Sequence, residues 1–171
     1  DQDLRLTDAG TQFKMDKAPF SVVFPKTAAG EATFTANSRW DYKNKTLLNR
    51  APITKTSHAL HVSDVTGTQK EESIPNIGWV SYVEYANAFP DADLLYTVRD
   101  GTVPSRQKLL RFDGPLAEDS VYCFQTSYDK PIRIFSDGTE GNQQGTLRTS
   151  DSIQVQVGNT RRGIGTKPFT I

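Results

Sequence analysis

The sequence predicts an all-β chain, an antiparallel two-sheet β-sandwich of jelly-roll-like or Ig-like type with little helix. Three observations carry this. Short β-branched and aromatic runs recur about every ten residues, separated by Gly, Pro, Asn and Asp. Apolar and polar residues alternate with period two, most clearly in Ser152-Ile153-Gln154-Val155-Gln156-Val157, where one face is dry and the other wet. Asp100-Gly101, Asp113-Gly114 and Asp137-Gly138 each offer the positive-φ position that tight hairpin turns require, which predicts a meander in the second half.

Taken in order, the first alternating segment is Phe20, Val22 and Phe24, followed by Ala32, Phe34 and Ala36. Trp40, Lys43, Thr46 and Leu47 are also spaced, more weakly, for a helix face. Leu60 and Val62 mark a strand that holds both histidines, with His58 and His61 on opposite faces of its sheet. Residues 63–76 are poor in apolar side chains, contain Gly67, Lys70-Glu71-Glu72 and Pro75, and are predicted as the longest loop. Trp79 to Tyr85 is predicted as a strand, although Trp79, Val80, Val83 and Ala86 also fit a helix face. Leu94–Arg99, Lys108–Phe112, Val121–Thr126, Ile132–Phe135 and Ser152–Val157 complete the strands. Pro104, Pro115 and Pro131 fall beside strand ends, where a missing N–H removes no ladder bond.

The chain has 171 residues, a length suited to one β domain over 1–171 that buries roughly 70% of its unfolded surface. Twenty Lys and Arg balance twenty Asp and Glu, with no run of five like charges, so the basic footprint that nucleic acid demands is missing. No apolar run approaches the ~20 residues of a membrane span. The first residue is Asp1 and no apolar leader follows, which is the pattern of a processed mature chain or a segment excised from a larger one. Both routes suit an extracellular or cell-surface protein. Cys123 is the single cysteine, so no intrachain disulfide forms, and its apolar neighbours predict a small buried hydrophobe.

The segment Val83-Glu84-Tyr85-Ala86-Asn87-Ala88-Phe89-Pro90-Asp91-Ala92-Asp93-Leu94-Leu95-Tyr96-Thr97-Val98 places a tyrosine strand, a Phe-Pro turn and an Asp-apolar-apolar-Tyr strand in succession. It resembles a β-rich module of large wall-associated and Rhs-like secreted bacterial proteins. Arg133-Ile134-Phe135-Ser136-Asp137-Gly138 is similar to the Asp-Gly hairpin of that module. The resemblance implies a structural or presentation module of a secreted or surface protein, and it brings no catalytic residues.

The residues themselves offer little chemistry. HExxH, paired CxxC, GxxxxGK[ST] and GxSxG are all missing. Asp91 and Asp93 before a strand are expected to cap a turn. In the loop 136–142, Asp137, Glu140 and Asn142 place side-chain oxygens around two glycines, a candidate calcium site, although calcium takes about six to eight oxygens and such loops are usually plain hairpin turns. Two Trp, six Tyr and nine Phe supply flat faces for sugar rings. Trp40 with Tyr42, and Trp79 beside Tyr82 or Tyr85, are the candidate carbohydrate platforms, against the ordinary outcome of a core aromatic.

The function expected is therefore a non-catalytic structural or presentation β-sandwich, partnered by neighbouring domains of its own chain or by a surface glycan. Its first rival is a carbohydrate-binding module using Trp40, Tyr42 and Trp79. Further rivals are a polysaccharide-acting enzyme and a phage or virion structural subunit.

Overall fold

The computed structural model describes residues 5–17, 20–76, 78–99, 105–115, 120–141, 147, 149 and 152–162, and within them every regular element is a strand. The first sheet contains β1 (Thr7–Asp8), β2 (Gln12–Lys17), β3 (Phe20–Pro25), β4 (Ala32–Asp41), β5 (Thr46–Ala59) and β10 (Phe124–Tyr128), side by side in that order. The second contains β6 (Thr68–Ile74), β7 (Gly78–Phe89), β8 (Ala92–Arg99) and β9 (Ser105–Phe112). A small third sheet is formed by β11 (Arg133–Ser136), β12 (Thr139–Glu140), β13 (Gln154–Val157) and β14 (Thr160–Arg162), ordered β12-β11-β13-β14. All pairings are antiparallel.

The two larger sheets make the predicted sandwich. The alternation that marks β3 turns Phe20, Val22 and Phe24 inward beside Phe13 and Met15 of β2. They join Val83, Tyr85, Leu94, Tyr96 and Val98 of the second sheet in one buried cluster. Phe24 stacks on Tyr96 at 5.3 Å between ring centroids, and Tyr85 meets Tyr96 edge-on at 5.5 Å. β8 is buried from Ala92 through Val98 on both faces, which is why Leu94-Leu95-Tyr96 reads as a continuous apolar run. Its outer face carries a second, smaller cluster of Val80, Tyr82 and Leu95, flanked by Ile74 and Leu109.

Strand order within each large sheet is consecutive, except that β10 returns beside β5 after the chain has built the second sheet. The sandwich is thus two meanders joined by two crossings, and it differs in that respect from the Greek-key order of a jelly roll or Ig domain.

Several local expectations change. The polar stretch 63–76 is no long loop: Thr68–Ile74 pairs with β7 at every position from Thr68↔Glu84 to Ile74↔Gly78. It is an edge strand, and charges on an edge strand discourage pairing with another chain while hiding the strand from hydrophobic pattern. Leu60 and Val62 lie past the end of β5. His58 sits in the strand opposite Gln125, whereas His61 occupies a bend at φ 57°. Tyr122 packs edge-on against Phe89 and Phe112, and Phe124 lies near Phe89. Cys123 is exposed, so the buried-hydrophobe expectation is corrected: inward-facing Tyr122 and Phe124 leave the residue between them facing out.

Of the Asp-Gly turns, Asp137-Gly138 joins β11 to β12 with both residues at positive φ (48° and 76°), as a type I′ hairpin demands. Asp100-Gly101 falls outside the described residues. Asp113-Gly114 ends β9 where the chain crosses to the other sheet, so the predicted meander is broken there.

Candidate functional site

The two longest strands, β4 and β5, do more than complete a sheet. Inside the sandwich they pair from Ala32↔Ser57 to Ala36↔Ile53. The register then jumps to Ser38↔Asn49, so Asn37 faces three residues, Arg50-Ala51-Pro52. Pro52 has no N–H to give to a ladder, and a bulge is where a strand tolerates it. Beyond the bulge the pairing resumes as Ser38↔Asn49, Arg39↔Leu48, Trp40↔Leu47 and Asp41↔Thr46. β3 reaches only as far as Ala36 and β10 only as far as Lys55. Among the described residues, the outer part of this hairpin is therefore a two-stranded ribbon paired only with itself, projecting roughly 15 Å.

The ribbon ends in a four-residue turn, 42–45. Asp41 Oδ1 accepts the backbone N–H groups of Lys43 (3.0 Å) and Asn44 (3.2 Å), and Oδ2 accepts Asn44 Nδ2 (2.9 Å). Lys45 takes the left-handed conformation that closes the turn, φ 53°. Tyr42 is 57% exposed, and Leu47 and Leu48 are exposed on opposite faces. Of the predicted platform on this element, Trp40 is placed by its backbone opposite Leu47, while its side chain lies outside the described residues.

Trp79, the third predicted platform residue, opens β7 opposite Ser73 and is 54% exposed, so it is not the core aromatic that composition favours. Tyr82 and Tyr85 are fully buried and cannot share its platform.

The candidate calcium loop is otherwise occupied. The Glu140 carboxylate accepts Nε and Nη2 of Arg133 in a two-point fork, both at 2.5 Å, and Asp137 is the first residue of the I′ turn. Asn142 lies outside the described residues. Among the described residues, no group of three His, Cys, Asp or Glu could hold a metal ion.

Sequence gave no hint of a shallow groove of about 260 Å³ lined by Leu60, His61, Phe89, Pro90, Asp91 and Tyr122, among others. Two backbone bonds shape it: Leu60 N–H to the Cys123 carbonyl (2.9 Å) and Ser63 N–H to the Ala88 carbonyl (2.8 Å). It is smaller than the roughly 300–1,000 Å³ of most ligand pockets. The adjoining turn is capped as expected, by Asp93. Three residues, 86–88, bulge opposite this one aspartate, which accepts the Asn87 N–H (2.7 Å) and pairs with Arg111 (2.9 Å).

On the outer face of the second sheet, Arg111 bridges Asp93 and Glu84, Lys70 reaches Glu84 at 3.0 Å, and Tyr82 donates to Glu72. Burial, and then the Glu72 hydrogen bond, push the Tyr82 hydroxyl up to about 12. Burial acts to raise the Glu84 carboxyl, but hydrogen bonds from Lys70 and Arg111 outweigh it and hold it below its ordinary value. Glu84 and Asp93 each have a cation beside them, the pattern of a structural network rather than a poised acid or base.

No protein-family model, curated protein or solved structure matches the chain. Among the described residues, no helix is long and apolar enough to cross a membrane.

Proposed function

We propose that this domain is a non-catalytic presentation module of a secreted or cell-surface bacterial protein, in which the sandwich holds a projecting β-ribbon at a fixed geometry toward a partner. The observation that supports it is the register jump at Asn37 and Arg50–Pro52, which separates a core-forming half of the β4–β5 hairpin from a half with exposed large side chains. A strand pair that contributed only to the fold would have no reason to continue beyond the sheet with Tyr42, Leu47 and Leu48 in solvent. The secreted and bacterial setting rests on the resemblance around Val83–Val98.

A second reading, a carbohydrate-binding module, is favoured by the exposure of Tyr42 and Trp79, since Tyr and Trp combine an apolar face with a polar rim suited to sugar rings. One titration bears on both. Intrinsic fluorescence is followed against a panel of glycans while soluble sugar products are assayed. Saturable quenching that is lost in Tyr42→Ala or Trp79→Ala, with the melting temperature kept, makes the glycan the partner. Release of sugar products would overturn the non-catalytic reading.

A further inference from the structure

The charge of the chain is balanced only as a whole. Residues 38–50 hold Arg39, Lys43, Lys45 and Arg50 against Asp41 alone, four cations to one anion; with twenty of each sign in the full chain, the remainder carries a net charge of −3. The element that projects from the fold therefore carries a local excess of three positive charges. Lys43 and Lys45 are exposed in its turn on either side of Asn44, and the exposed ring of Tyr42 adjoins Lys43. The carboxylate of Asp41 is engaged with the turn backbone and Asn44, which directs it inward to the loop.

From this placement we infer that the β4–β5 ribbon is a docking arm for an acidic polysaccharide, with Tyr42 stacking on a sugar face and Lys43 and Lys45 pairing with the carboxylates of neighbouring units. The inference rests on the carbohydrate reading above and adds its ligand class. Charge complementarity selects an anionic partner, and the geometry selects among anions. A lipid surface wants one apolar face, but Leu47 and Leu48 are successive residues and face opposite ways, while inserting the tip would desolvate two ammonium groups. A nucleic acid wants a broad basic surface, and four cations on one two-stranded arm make a narrow one. An acidic polysaccharide carries separated carboxylates on rings with apolar faces, which an aromatic flanked by lysines can match one unit at a time.

The whole chain is titrated with polygalacturonate, with neutral dextran and a neutral β-glucan in parallel, and with vesicles containing anionic phospholipid and a mixed-sequence RNA as competitors. The expected result is saturable binding to polygalacturonate that weakens about tenfold between roughly 50 and 500 mM salt, as screening of a few exposed charge pairs requires. Lys43→Glu/Lys45→Glu should weaken it by at least about tenfold at low salt with an unchanged melting temperature. Tyr42→Ala should weaken it at every salt concentration, and Tyr42→Phe should restore it. Binding of neutral glycans with polygalacturonate silent would overturn the acidic assignment while leaving the carbohydrate reading intact. Silence towards every glycan would overturn both. Tighter binding to vesicles or RNA than to polygalacturonate, or charge reversal without effect, would also overturn the inference.

Discussion

At the scale of single residues, the apolar interface between the two large sheets is joined by a polar junction. Tyr85, buried in the core, donates its hydroxyl to the Pro25 carbonyl at the end of β3 (2.5 Å). Beside it, Gly67 N–H reaches the Lys26 carbonyl (2.7 Å), and Ala28 N–H reaches the Val65 carbonyl (2.9 Å). Gly67 can lie there because it has no Cβ: one would stand 2.5 Å from Val83 Cγ1 and 2.7 Å from Tyr85 Cε1. Since the Tyr85 ring is held at its far end by Pro25, it cannot swing away. Gly67→Ala is therefore expected to destabilise by about 1–3 kcal/mol, as overpacking does. Tyr85→Phe keeps the ring and leaves a buried carbonyl without its donor, a cost of about 1–3 kcal/mol. Urea unfolding measures both, and a Tyr85→Phe midpoint equal to the parent's would show that water replaces the hydroxyl. Neither role could be read from sequence, because a buried tyrosine that bonds across the core and one that merely fills it have the same pattern.

At the scale of elements, legibility followed burial. β3, β7 and β8 bury one or both faces, and their apolar pattern makes them legible in the sequence alone. β6 was hidden because an edge strand such as Gln69-Lys70-Glu71-Glu72-Ser73 gains its place from backbone pairing with β7, which leaves no mark on side-chain polarity. The ribbon was half visible: Trp40 and Tyr42 stood out as aromatics among charges, but the bulge that lifts them off the sheet depends on a three-against-one register that no local pattern encodes. If the ribbon is an appendage, its strands add little to the core. Replacing residues 39–48 by a two-residue Asn-Gly turn should then change stability by less than about 1 kcal/mol, and amides 46–49 should exchange with deuterium far faster than those of β8. Global unfolding on removal of the ribbon would show instead that it is part of the folding unit.

At the scale of the molecule, the neutral net charge conceals carboxylates whose partners are fixed by the fold, and these set its response to acid. The Asp8 carboxyl is held low by the Gly10 N–H and then by Lys26. Asp64 is held low by the Ala29 N–H and then by the Thr27 hydroxyl. Glu84 is held low, against the effect of its burial, by Lys70 and Arg111. A carboxyl with a depressed folded-state pKa contributes stability that is fully present above its unfolded value, 4.5 for Glu84 and 3.8 for Asp8 and Asp64. Below those values the unfolded chain takes up protons that the folded chain refuses, and the contribution is lost as pH falls through the folded-state values. The melting temperature should therefore be level from pH 7 to about 5 and fall progressively below 4.5. Glu84 separates this mechanism from general acid expansion, because it sits within the second sheet between two cations from β6 and β9. Glu84→Gln should lower the melting temperature at pH 7, where the pairs with Lys70 and Arg111 are lost, yet fall less steeply than the parent between pH 4.5 and 3. The two curves should converge at the acid end, where the parent carboxyl is itself protonated. Parallel curves, displaced by the same amount at every pH, would show that Glu84 supports the sheet by packing alone and that the acid response arises elsewhere.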